Sequence, residues 1–155
     1  MSRIFHQGFA MLFASAALVA VPARAQTMSV TRSLSFGAFA AGNGGTVSIS
    51  TASARSAFGD VTLLTSSKFE FGSAALFSLT GPAATFYNVT VPETALLDRA
   101  GGGGMMITSF SISPSSTGLL TGGAQLIAVG ATLKVPPHAG VGEYSGTFDV
   151  TVIYD

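Results

Sequence analysis

The sequence predicts an all-β fold, a sandwich or a barrel, on three observations. Only 9% of its residues are Asp, Glu, Lys or Arg, while Gly, Ser, Thr, Ala, Val and Phe dominate, a balance that suits pleated strands and tight turns over helices. Short runs in which large apolar and small or polar residues alternate recur along the chain, the period of a half-buried strand. Turn-rich clusters separate those runs at short, fairly even intervals, as expected of a sandwich or barrel rather than of β-α-β units. At 155 residues the chain is long enough for one domain with a real core and too short to suggest two.

The first 25 residues read as a cleaved signal peptide. Arg3 gives a positive start, residues 8–21 are apolar, and Ala23-Arg24-Ala25 has the small-x-small form of a cleavage site. The apolar stretch falls short of the roughly 20 residues a membrane-spanning helix needs. The mature protein is therefore expected to begin at Gln26 and to be exported. Losing Arg3 and Arg24 leaves five basic against seven acidic residues, so no basic patch remains to neutralise phosphates and nucleic acid is not an expected partner. An exported chain without cysteine has no disulfide framework, and its stability must come from burial, ladder hydrogen bonds or a partner chain.

Strands are expected in the following order. Residues 34–39, Leu-Ser-Phe-Gly-Ala-Phe, alternate; the turn 41–45 contains Asn43-Gly44; residues 46–50, Thr-Val-Ser-Ile-Ser, alternate again. Together they predict an antiparallel hairpin over 34–50. Further strands are expected at 61–64, 74–79 and 87–91, the last ended by Pro92, which removes a ladder donor. In 105–112, Met106, Thr108 and Phe110 are expected to oppose Met105, Ile107, Ser109 and Ser111. Residues 125–135 follow, and 144–154 form the clearest run, with Tyr144, Phe148, Val150, Val152 and Tyr154 on one face. Residues 26–33 stand apart as an N-terminal extension ahead of a domain over 34–155.

The chemistry-bearing residues argue against an enzyme. Gly101-Gly102-Gly103-Gly104 lacks the Lys-Ser or Lys-Thr of a phosphate loop and leads into a strand-like segment, so it reads as a turn. The mature chain holds one histidine, His138, and no cysteine. A metal site is therefore not expected, and neither is a serine hydrolase, which needs a base and a Gly-x-Ser-x-Gly elbow. The carboxylates are scattered, and a glycosidase-like couple of Glu93 and Asp98 would be accidental. Asn88-Val89-Thr90 matches the glycosylation sequon but lies within a strand. No cofactor is expected. A carbohydrate- or surface-binding module would use exposed aromatics; Phe86 and Tyr87 are the candidates, and core packing at a strand start is their plainer reading.

Several short segments carry a family resemblance: Leu34-Ser35-Phe36-Gly37, Gly44-Gly45-Thr46-Val47, Val129-Gly130-Ala131-Thr132-Leu133, and Gly140, Gly142, Tyr144, Gly146, Thr147 and Val150-Thr151-Val152. On these the chain resembles the bacterial domain family DUF4402, allied by its pattern to spore-coat-U-like proteins and chaperone–usher pilins. Those pilins end in alternating apolar residues with a penultimate aromatic and a glycine fourteenth from the end; Tyr154 and Gly142 stand there. The resemblance implies an immunoglobulin-like sandwich lacking one strand. It further implies that a periplasmic chaperone holds the open edge by strand addition, that an outer-membrane usher assembles the subunits, and that like subunits complete one another at the cell surface. On that reading Gly142, Tyr144, Phe148, Val150, Val152, Tyr154 and Asp155 form the edge read by the chaperone, and Met28 and Val30 are the apolar residues of a candidate donor strand in 26–33. The donor is short and carries Arg32 on the face of Met28 and Val30, so weak donation, an earlier cleavage site, an acceptor that does not donate, or a self-contained secreted sandwich acting as an adhesin-like module, also fits.

Overall fold

Most of the alternating runs fold into strands, whereas residues 34–38 hold only an isolated bridge between Ser35 and Ser73. The computed structural model describes residues 3–10 and 26–155; the apolar stretch and cleavage site of the expected leader lie outside the described residues in all but their first few positions. In chain order the strands are β1 (Arg3–Ala10), β2 (Thr27–Arg32), β3 (Phe39–Ala40), β4 (Gly45–Ile49), β5 (Arg55–Gly59), β6 (Thr62–Leu63) and β7 (Ala75–Thr80). They continue as β8 (Phe86–Thr90), β9 (Thr94–Arg99), β10 (Gly104–Ser113), β11 (Thr117–Leu119), β12 (Ala124–Val135), β13 (Tyr144–Ser145) and β14 (Thr147–Tyr154). The fold is all-β, with two main sheets packed as in a sandwich.

The smaller sheet runs β1-β14-β8-β11. The larger runs β13-β9-β10-β12, and the long strand β12 then serves two neighbours in turn: Ala124 to Val129 pair with β7, which carries β2, while Ala131 to Val135 pair with β4, which carries β5. Each of these pairings is antiparallel. Between the sheets lie Phe77, Leu79, Ile107, Ile127, Leu133, Val152 and Tyr154, all within 1% of complete burial. A full burial of such side chains contributes roughly 1.5–3 kcal/mol each and is the main force holding sheet on sheet.

The expected hairpin over 34–50 is replaced by another arrangement. Leu34 and Phe36 do turn into the core as their alternation implies, but β3 pairs with β6 and β4 with β5 and β12. The reason lies at Gly37, whose φ of +68° bends the chain and whose missing side chain leaves room for the Arg55 guanidinium. Arg55 donates to the carbonyls of Phe36 (3.2 Å), Ala38 (3.1 Å) and Leu64 (2.8 Å). Those carbonyls are thereby bonded without a hairpin partner strand.

A second departure is in β10. The inward face starts as Met105 and Ile107, then changes phase to Phe110 and Ile112, because a β-bulge interrupts the pairing with β12 between Thr108 and Ser111 and Ser109 takes a φ of +52°. The bulge brings Phe110 against Phe148 of the opposite sheet, with ring centroids 5.1 Å apart. Strict alternation had put Phe110 with Met106 and Thr108.

The boundary expected at residue 34 also moves. Thr27–Arg32 is a strand of the domain, antiparallel to β7, because Met28 closes the end of the core at 7% exposure.

Candidate functional site

The residues singled out at the C-terminus split between two sheets. Phe148, Val150, Val152 and Tyr154 alternate inward on β14 and are buried. Tyr144 does not continue that strand: β13 pairs with β9 in the larger sheet, Tyr144 opposite Arg99. The crossing occurs at Gly146, where a Cβ would collide with the Leu96 carbonyl, so only glycine lets the chain pass from one sheet to the other. Tyr144 instead braces the loop before it by donating from its hydroxyl to the Gly140 carbonyl at 2.8 Å. Gly142, in the left-handed region at φ +147°, lies against the aliphatic stem of Arg99. Asp155 extends the ladder, its amide donating to the Phe86 carbonyl at 3.0 Å and its own carbonyl accepting from the Phe86 amide at 3.2 Å.

The edge expected here is thus a backbone feature of β14, with its apolar side chains serving as core. On one side β8 covers only Thr151 to Tyr154. On the other, β1 runs antiparallel along the whole strand, from Arg3 opposite Tyr154 to Ala10 opposite Thr147. In an antiparallel pair directly opposite residues point to the same face. The position beside β14 is thus filled by an eight-residue strand, about 26 Å long.

Tyr154 ties this strand to the domain's first. Its hydroxyl donates to the Thr27 carbonyl at 2.9 Å, and burial pushes its pKa up to about 12. Met28 and Val30 stand opposite Leu79 and Phe77 of β7, Met28 buried and Val30 packed at the core margin. Arg32, expected on their face, follows a register shift and turns its guanidinium aside, Nε donating to the Ala74 carbonyl at 2.9 Å and Nη2 to the Ser53 hydroxyl at 3.0 Å. The candidate donor segment is accordingly engaged within its own chain.

The aromatic pair separates. Phe86 is 63% exposed, opposite the exposed Leu119, whereas Tyr87 is a core residue. A single exposed ring beside a leucine does not make a stacking platform for a sugar.

Sequence reading overlooked a row of hydroxyls across the outer face of the larger sheet. Thr94, Thr108, Thr132, Ser48 and Ser56 lie opposite one another on five successive strands, spaced by about 4.8 Å. The Ser48 and Thr132 hydroxyls are 2.9 Å apart. They adjoin an open depression of about 320 Å³ whose lining includes Ser50, Ser109 and Ser111. The signal was one polar position in each alternating run, visible only once the register was known. The row offers neutral donors and acceptors and brings no nucleophile next to a base.

The family model that matches is described as a domain of unknown function (DUF4402), over residues 27–154. No curated protein and no solved structure matches the chain.

Proposed function

The chain belongs to the DUF4402 domain family, and from that footing we propose that it is a structural subunit of a bacterial surface polymer, a pilus or fimbria, assembled by strand complementation. The observation that carries this reading is the ladder along β14, where the complementing strand is residues 3–10, a segment with the positive start of a leader. Cleavage after Ala25 removes that strand and leaves β14 with an open edge over its full length. An open edge of eight residues invites pairing with another chain, and β-augmentation by an extended segment satisfies it: main-chain bonds hold the segment and alternate apolar side chains set its register. On this reading the domain is an immunoglobulin-like sandwich short of one strand. A periplasmic chaperone lends a strand to β14 during export, an outer-membrane usher exchanges it, and the assembled subunits stand on the cell surface.

The test is to express the full chain with and without its periplasmic chaperone and to follow the exported protein by size exclusion and intact mass. A one-to-one complex of the processed chain, and its loss to aggregation or degradation without the chaperone, is the expected result; a stable, soluble, processed monomer on its own would overturn the proposal. The same ladder favours a second reading. If the exported protein keeps residues 3–10, β14 is sealed in cis and the molecule is a self-contained secreted sandwich, adhesin-like in role. An intact mass matching the unprocessed chain identifies that case.

A further inference from the structure

We infer that the processed chain receives a strand without giving one, so that it ends a polymer, and that the strand completing it comes from a different polypeptide. The inference rests on the strand-complementation reading above.

After cleavage behind Ala25 a single residue, Gln26, precedes β2. A strand able to cover Thr147–Tyr154 needs about eight residues plus a linker, so among the described residues at the front of the processed chain β2 itself is the segment that could donate. That segment is fixed at every level. Its backbone pairs with β7 from Thr27 opposite Thr80 to Arg32 opposite Leu76. Met28 closes one end of the core. The Thr27 and Thr80 hydroxyls are 2.6 Å apart, and the Thr27 carbonyl accepts from Tyr154. Arg32 is held by the Ala74 carbonyl and the Ser53 hydroxyl. Donation by β2 would strip the outer side of β7, open the core at Met28 and break the contact with Tyr154 on β14, the strand that must itself accept. One copy thus has an acceptor edge and no free donor. The incoming strand is defined by the edge: antiparallel to β14, with side chains opposite Phe148, Val150, Val152 and Tyr154 facing the interior.

The processed chain, refolded from denaturant, distinguishes the cases with two synthetic peptides, residues 3–10 and residues 26–36. The expected outcome has three parts. The protein alone forms no linear polymer, residues 3–10 bind one-to-one and raise the Tm by roughly 8 °C at a hundredfold excess over Kd, and residues 26–36 leave the Tm unchanged. Linear polymers of the unaided protein, or an equal rise with residues 26–36, would overturn the inference while leaving strand complementation standing. A folded monomer that takes up neither peptide would overturn both.

Discussion

Tyr154 combines burial, a long-range hydrogen bond and a titratable hydroxyl, and each makes a separate prediction. Tyr154→Phe keeps the packing and loses the bond to Thr27, which should cost about 1 kcal/mol at neutral pH. Because burial raises the folded-state pKa to about 12, above the ordinary tyrosine value near 10, the folded protein holds this proton more tightly than the unfolded chain. Its contribution is then fully present below pH 10 and declines as pH rises toward 12. Denaturant titrations at pH 9 and pH 11.5 should show a stability loss in the native sequence that is smaller in Tyr154→Phe. Burial also raises the pKa of Tyr87, which acts in the same direction and leaves a residual slope. The inward face of β14 could be read from the sequence because period two places Phe148, Val150, Val152 and Tyr154 together. Tyr144 shares that period and lies in another sheet, since periodicity does not register a backbone crossing at a glycine.

Among the elements, the segment 34–40 owes its course to a side chain 15 or more residues away. Arg55 caps two carbonyls there and that of Leu64 just after β6, and burial lowers its pKa without threatening its charge in the physiological range. Arg55→Met should cost about 3 kcal/mol, given what charged hydrogen bonds contribute and what unsatisfied carbonyls lose. Amide exchange should accelerate at residues 34–40 and 62–64 before it does in β12. An unchanged exchange pattern would show that the arginine is incidental. The same contact explains why an Asn-Gly turn failed to announce a hairpin: local turn chemistry was present, and the flanking strands found better partners. Strands β5 and β9 were missed for a related reason. Phe58, the one large apolar residue of β5, faces solvent at 81% exposure, and adjacent Leu96 and Leu97 in β9 break the alternation. Strands at a sheet edge or next to a two-residue edge strand carry weak inward signals, and the bulge at Ser109 changes phase without any mark in the sequence beyond the phase change itself.

At the scale of the whole molecule, class and layering followed from composition, because a chain with 9% charged residues and frequent turns can bury its apolar faces only sheet against sheet. Which strand lies at which edge did not follow, since pairing between segments a hundred residues apart depends on register, and a period of two fits many registers. The C-terminal segment shows the same division: the inward period of Phe148, Val150, Val152 and Tyr154 was legible, but the pairing of β14 with residues 3–10 along its whole length depended on register.

The hydrogen bond between the Tyr154 hydroxyl and the Thr27 carbonyl places the beginning of β2 and the end of β14 within one tyrosine side chain of each other. A short glycine-serine linker should therefore join residue 155 to residue 26 without strain, and new ends can open at Gly102, where added side-chain atoms would meet nothing within 4 Å. A circular permutant of residues 26–155 cut there, completed by the peptide of residues 3–10, should keep the far-ultraviolet spectrum and cooperative unfolding of the uncut processed chain with the same peptide, as permutations at exposed loop tips generally do. Its β14 would then be an internal segment, so the order of residues along the chain and the position of the edge that pairs with residues 3–10 become independently adjustable.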